Sequence, residues 1–305
     1  MPTQISDRIT RALLGAALAA GAVTAGAAPA AAAATAHTPA AVSSQAHALN
    51  PADAPAVLGR AAYLADAETG RAYYGKRADE RMPVASLTKM MTAYVVLKEA
   101  KPADTVEVTA ADVRHGARGG AAVAGLRAGD RLTVEDMLHA LLLPSGADAA
   151  HVLARTYGPG VDAFVAKMNA AARELGMADT RYVNADGMPT NGGGYSTARD
   201  QVRLATAVVA NDTLRKITST RYHSVPRTAE HRAYSWRNTN RLLGDPGVIG
   251  VKTGFTRAAG YTLAFAADRD GTRIVGVILG ESDSARRFRT AGALLDWAAS
   301  RPAGR

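Results

Sequence analysis

The sequence predicts an α+β fold in which a sheet is interrupted along the chain by a helical insertion. Three observations carry this reading. A hairpin pattern stands near the start of the folded part. A long middle stretch repeats its apolar residues at helical spacing. The final third returns to short apolar runs before a closing helical stretch.

The first residues stand outside this pattern. Arg8 and Arg11 make a basic head, Ala12 to Val23 is apolar with small residues, and Ala34-Thr35-Ala36 offers an A-x-A site. That order is the build of a secretory signal peptide, and the apolar run is short for a membrane span. Residues 1–36 are therefore expected to be a signal peptide, and residues 37–58, rich in Ala, Pro and Ser, a linker. No later apolar stretch approaches membrane-spanning length. The expectation is a secreted, cell-wall-associated chain with no transmembrane segment in its mature form.

The folded part begins near Gly59. Ala61 to Asp66 is a strand, Glu68-Thr69-Gly70 a turn, and Ala72 to Tyr74 the returning strand of a hairpin. From Ser86 the period changes: Leu87, Met90, Met91, Tyr94 and Val95 follow helical spacing, and Pro102 lies beyond the end. Thr133 to Asp136 resembles a capping box with Asp in the acidic place, opening a helix to about Leu143 that Pro144 interrupts. Further helices are expected over 148–156, 161–175 and 198–210. Strands are expected over 248–253, 260–267 and 273–279, and a closing helix over 285–299.

The chain has 305 residues, 48% of them hydrophobic, enough for one large core or two small ones. It has no cysteine, which excludes disulfides, thiolate metal sites and a cysteine nucleophile. The net charge of +9 suits a polyanion, but the basic residues are scattered and no run resembles a nucleic-acid arm. No nucleic-acid partner is expected; a secreted basic protein facing an anionic wall fits equally well. His115, His139 and His151 lack metal-ligand spacing and read as surface or packing residues, so no metal or other cofactor is expected.

Three short segments carry chemistry together: Ser86-Leu87-Thr88-Lys89 at a helix start, Ser145-Gly146-Ala147 in the loop after a helix, and Lys252-Thr253-Gly254 at a strand end. A serine hydroxyl needs a base to become a nucleophile. Residues three apart share a helix face, so Lys89 can reach Ser86. A lysine is a base only when neutral, and burial or a second cation such as Lys252 lowers its pKa. The amide of Ser86 at the helix start, with that of Phe255 on the strand, could stabilise an oxyanion. Ser145 would relay a proton to the leaving amine. Lys252 and Thr253 would grip a substrate carboxylate, and Gly254 would allow close approach of a substrate backbone. One S-x-x-K is expected by chance in roughly every chain of this length; three motifs in this order and on these elements are not.

The sequence resembles the D-alanyl-D-alanine carboxypeptidases of the low-molecular-mass penicillin-binding proteins, peptidase family S11. The likeness runs from about Ala61 to Trp297. It includes residues 83–92 around Ser86, 164–177 with Thr180 and Asn184, 195–200, Asn238-Thr239-Asn240, and 250–256 followed by Ala259-Gly260-Tyr261. The resemblance implies a β-lactamase/transpeptidase-like fold, with an antiparallel sheet flanked by helices, a helical lobe, and the active site between them. Residues 59–300 would then be the penicillin-binding catalytic domain and 301–305 a tail. It implies Ser86 as acylated nucleophile, Lys89 as base, and an arginine of the closing helix on the substrate carboxylate, with Arg287 the best match and Arg286 second. Peptidoglycan stem peptides would be the substrates and β-lactams covalent inhibitors.

Two features depart from the family pattern. The middle motif is usually Ser-x-Asn, and here Ala147 replaces an amide that would bond the substrate backbone and the site lysines. The chain also ends soon after Trp297, so attachment through the β-rich domain and amphipathic helix of many relatives is not expected. A class A β-lactamase shares serine and lysine but needs a glutamate in an E-x-x-x-N setting, which is missing between Ser145 and Lys252. A transpeptidase and a non-catalytic or weakly active wall-binding module are the remaining alternatives.

Overall fold

The structure is a computed structural model, and it describes residues 51–190 and 192–301. The expected signal peptide and most of the linker lie outside the described residues. The elements in chain order are β1 (Ala61–Asp66), β2 (Ala72–Lys76), a 3-10 turn (Ala85–Leu87), α1 (Thr88–Glu99), β3 (Thr105–Glu107), α2 (Ala110–Gly116), β4 (Arg131–Thr133), α3 (Val134–Leu142), α4 (Ala147–Tyr157) and α5 (Val161–Glu174). They continue with α6 (Ala198–Ala210), α7 (Asp212–Ser219), β5 (Tyr222–Val225), β6 (Tyr234–Arg237), a second 3-10 turn (Arg241–Gly244), β7 (Val248–Thr256), β8 (Gly260–Arg269), β9 (Thr272–Glu281) and α8 (Arg286–Ala299).

One five-stranded sheet runs in the order β2-β1-β9-β8-β7, antiparallel at every pairing. The first hairpin thus joins the last three strands through β1 and β9, which pair Ala61 with Leu279 and Asp66 with Ile274. Side chains alternate between two cores, as a strand period of two requires. Ala62, Leu64, Leu263, Phe265, Ile274 and Ile278 pack with Phe288, Leu294 and Leu295 of α8. Ala61, Tyr63, Ala264, Val275 and Val277 join the larger core with α6 and the helical lobe. Both faces of the sheet are covered, which explains the nearly continuous apolar runs in β8 and β9. Gly276 interrupts one of them because a Cβ there would overlap the Phe265 ring and come within 2.6 Å of Leu64.

The packing starts ahead of Gly59: Val57 is buried in the α8 core, its carbonyl accepts a 2.7 Å bond from Lys76 Nζ, and Asp53 accepts one from Trp297. Thr133 caps α3 by accepting from the Asp136 amide at 3.1 Å. The reciprocal half of the expected box is replaced by a hydroxyl-to-carboxylate bond between the same side chains, 2.7 Å long. The 3-10 turn puts the start of regular α-helix at Thr88 instead of Ser86. Ala85, at φ +52, prevents the helix from extending back through it.

Candidate active site

The 3-10 turn holds Ser86 on the rim where the helical lobe meets β7, the edge strand of the sheet. Lys89, one turn on, places Nζ 3.0 Å from Ser86 Oγ. Its second partner is the carbonyl of Asp186, at 2.6 Å. Lys89 is buried, and burial lowers its pKa to about 8 against the opposing pull of Asp186 and Asp148. Lys252 is also buried, and burial, then repulsion from Lys89 and Arg287, holds its pKa well below the ordinary lysine value. Burial and repulsion from Lys252 were both expected to lower the Lys89 pKa; burial is the leading cause there, and the repulsion falls on Lys252.

Ser145 occupies the loop between α3 and α4 at φ +72, a left-handed conformation unusual for serine. Its Oγ is buried and has no hydrogen-bond partner among the described residues. A buried hydroxyl left unpaired costs free energy, which is a recurrent mark of a functional position. Lys252, Thr253 and Gly254 lie inside β7, which continues to Thr256 beyond the expected strand end. Thr253 shares a 2.7 Å hydroxyl bond with Thr239, and Lys252 Nζ donates to the Thr253 carbonyl at 2.9 Å. A Cβ on Gly254 would overlap the Thr262 hydroxyl and come within 3.0 Å of the Ser86 amide nitrogen and 3.2 Å of Ala85 Cβ. Glycine at 254 is what lets β7 lie directly against the serine turn. Phe255 is 51% exposed at the rim, with its ring 4.4 Å from that of Tyr261.

Arg287 is buried on α8, and one nitrogen donates to the carbonyls of Gly254 at 2.9 Å and Thr262 at 3.0 Å. Burial lowers its pKa to about 10. Arg286 pairs with Glu281 at 2.6 Å. Of the two, Arg287 faces the cleft. Ser86, Lys89, Ser145, Thr253, Gly254, Phe255 and Arg287 all line one cleft of about 830 Å³.

Ala147 does not line this cleft. It is fully buried at the start of α4, with its amide donating to the Ala122 carbonyl at 2.8 Å. Asp148 fixes the same segment by accepting from the Ala124 and Leu126 amides at 2.8 and 3.0 Å. Residues 119–122 then form the wall beside Ser145.

Two participants escaped the sequence reading. The Asp186 carbonyl is a backbone acceptor, for which side-chain identity gives no signal. Its side chain accepts from His115 at 2.8 Å, the His115 ring stacks on His151 at 4.4 Å, and His151 bonds Asp112 at 2.6 Å, so these histidines link Asp186 to Asp112 behind the site. Thr239 sits in the Asn238-Thr239-Asn240 segment already noted for the resemblance. Its amide donates to the Leu143 carbonyl, fixing it over Thr253. Among the described residues no cluster of acids and histidines could hold a metal ion.

The family model for D-alanyl-D-alanine carboxypeptidases, peptidase family S11, matches residues 48–283. The chain is 36% identical to the D-alanyl-D-alanine carboxypeptidase of Streptomyces sp. strain K15 over 256 residues, covering 80% of this chain and 88% of that protein. It is 33% identical to the D-alanyl-D-alanine carboxypeptidase DacF of Bacillus subtilis over 247 residues, covering 79% of this chain and 62% of the relative. The crystal structure of the Streptomyces K15 DD-transpeptidase matches with a TM-score of 0.76 at 35% identity, covering 80% of this chain and 98% of that one. With this fold, this cleft and these matches, the chain belongs to the D-alanyl-D-alanine carboxypeptidase family of serine peptidases, S11.

Proposed function

We propose that this protein is a serine-type D-Ala-D-Ala carboxypeptidase that removes the terminal D-alanine from peptidoglycan stem pentapeptides. The observation that carries this is the desolvated Lys89, 3.0 Å from Ser86 Oγ, on a turn pressed against an edge strand carrying Lys252-Thr253-Gly254.

Neutral Lys89 takes the Ser86 proton as Oγ attacks the penultimate carbonyl carbon. The amides of Ser86 and Phe255 stabilise the oxyanion; the approach of Gly254 to the Ser86 nitrogen supports this placement. Ser145, with its unpaired hydroxyl, passes a proton to the departing amine as the C–N bond breaks. Thr253, held by Thr239, binds the terminal carboxylate with Lys252, and Arg287 supports this end of the site through the Gly254 carbonyl. Water then cleaves the ester and releases the shortened stem peptide. β-Lactams acylate the same serine.

An amine acceptor in place of water would give a transpeptidase from the same acyl-enzyme, the activity for which the K15 enzyme of known structure is named. The proposed location is outside the cytoplasm, reached through the signal peptide. No helix among the described residues is long and apolar enough to cross a membrane. N-terminal sequencing of the exported protein should find cleavage between about Ala30 and His37; an intact Met1 on membrane-held protein would refute that.

Incubation with a pentapeptide ending in D-Ala-D-Ala should release D-alanine, and penicillin should add its mass to the Ser86 peptide. An adduct that persists in Ser86→Ala would overturn the assignment of the nucleophile. No D-alanine release from a protein that still acylates with penicillin would leave a penicillin-binding wall module.

A further inference from the structure

Lys89 rests on a piece of chain that has no regular structure. Residues 182–188 are neither helix nor strand, so no backbone ladder fixes the Asp186 carbonyl that receives Lys89 Nζ at 2.6 Å. Side chains fix it instead. Asn184 closes the loop on itself by accepting from the Gly187 amide and donating to the Met188 carbonyl, both at 2.7 Å. One oxygen of the Asp186 carboxylate accepts from the Met188 amide at 2.9 Å. These bonds set the shape of the loop; its place is set from two helices. α1 reaches it with Lys89 and with Thr92, which donates to the Ala185 carbonyl at 2.6 Å. α2 reaches it with His115, which donates to the other Asp186 carboxylate oxygen at 2.8 Å.

The loop also bears on the serine turn. Gly187, at φ +78, packs so closely that a Cβ would overlap the carbonyl of Ala85, the residue before Ser86. His115 is anchored in turn. His151, against which it stacks, bonds Asp112 at 2.6 Å, and Arg155 donates to the same carboxylate at 3.0 Å. Asp112 and His115 lie on α2, while His151 and Arg155 lie on α4, the helix that starts two residues after Ser145. The network therefore ties the loop beneath Lys89 to the helix behind Ser145.

We propose that His115 and the Asp186 carboxylate are positioning residues for acylation, holding the Asp186 carbonyl so that it aims Lys89 Nζ at Ser86 Oγ. Neither lines the cleft, so both act through Lys89. The proposal rests on the reading of Lys89 as the base that activates Ser86. The Asp186 charge has a separate effect: like that of Asp148, it raises the Lys89 pKa against burial. The charged and titratable groups around the pair are Lys89 on α1, His151, Asp112 and Arg155 behind His115, and Asp148 and Lys252 beyond Lys89. Position and charge can be separated by substitution.

The test is stopped-flow acylation of the full protein by a chromogenic cephalosporin over a range of concentrations, which separates the affinity of the first complex from the acylation rate constant. His115→Phe keeps a ring against His151 but has no N–H donor. At pH 9 it should lower the acylation constant about tenfold and leave the affinity within about twofold. His115→Gln restores an N–H donor and should recover the constant to within about threefold of the wild type. Asp186→Asn keeps the carbonyl and an acceptor for the Met188 amide but removes the charge. Its acylation midpoint should fall below the wild-type value of about 8, because burial is then less opposed. The constant is a rate per folded molecule, so partial unfolding lowers the amplitude and leaves the comparison intact. A melting temperature that falls in His115→Phe, with the acylation constant still that of the wild type, would mark a purely structural contact and overturn the proposal. So would equal losses in His115→Phe and His115→Gln, or an unmoved midpoint in Asp186→Asn. Wild-type protein that is not acylated at all would overturn the base assignment and this proposal with it; normal acylation of the wild type and of both His115 variants would overturn this proposal alone.

Discussion

Acylation of Ser86 by a penicillin should rise with pH and level off above the Lys89 pKa. On the proposed mechanism Lys89 accepts the Ser86 proton only when neutral, and burial lowers its pKa to about 8. The sign follows directly: below that value the ammonium form dominates and the base is missing; above it the free amine is present. The neutral fraction is about nine-tenths at pH 9, about one-tenth at pH 7 and about one-hundredth at pH 6. The second-order acylation constant should therefore fall about tenfold from pH 9 to 7 and about tenfold again to pH 6. Stopped-flow measurement with a chromogenic cephalosporin, at constant ionic strength, gives the profile directly. The competing titratable group is Lys252, whose pKa burial and then repulsion from Lys89 hold well below the ordinary lysine value, so the same profile is needed for Lys252→Arg. A flat profile between pH 6 and 9 would refute the reasoning, since Lys89 could not then be the group that titrates. So would a midpoint that disappears in Lys252→Arg.

Four further outcomes follow from the geometry. Gly254→Ala should lower acylation by at least about a hundredfold, because the added methyl overlaps the Thr262 hydroxyl, which holds the Val84 carbonyl, and presses on the Ser86 turn where about 1 Å matters; unchanged acylation with a normal melting curve would refute the close approach. Lys89→Met should abolish acylation yet melt within a few degrees of the wild type or above it, since a charge that burial disfavours is removed; a large fall in melting temperature would show that Lys89 holds the fold. Ala147→Asn should destabilise by about 1–3 kcal/mol and leave peptide turnover no higher, because position 147 is fully enclosed; faster peptide turnover would show that the amide reaches the cleft. Asp112→Asn should cost about 3–5 kcal/mol at neutral pH by denaturant unfolding, because it breaks a buried carboxylate's bonds to His151 and Arg155. Those bonds hold the Asp112 pKa below its ordinary value against burial, so the wild-type contribution is present above the unfolded aspartate pKa and fades only as pH falls through the native one.

The elements legible in the sequence were those whose apolar pattern is long. β1 and α6 were read with the bounds they have, because Ala61–Asp66 is uniformly apolar up to its aspartate and Thr197 caps α6 by accepting from Asp200. The β5–β6 hairpin was missed because only Val225, Tyr234 and Trp236 of its residues are buried and its connection is a long polar segment. α7 was missed because Asn211 ends α6 and caps the next helix at once, leaving no loop between them. α2 is short, and its signal was the Thr109–Asp112 capping box. Within the site, side chains that act by contact were legible as motifs. The Asp186 carbonyl was not, because a backbone acceptor depends on where the chain passes. Arg287 lines the cleft and Arg286 does not, because Glu281, a residue on a different element, takes up Arg286.

β7 ends the sheet, and its outer edge faces the turn that carries Ser86. A free sheet edge is ordinarily a hazard, because its unpaired amides and carbonyls invite another chain to add on. On the proposed mechanism the stem peptide enters as a temporary sixth strand, read through its main chain in the manner of strand addition. Side chains of the guest would then contribute little along β7. Discrimination among stem peptides would fall to the cleft walls, to residues 119–122 on one side and Met188, Pro189 and Ala258 on the other. Variation between relatives in the peptides they accept should map to those walls, while the strand itself remains indifferent to which peptide it holds.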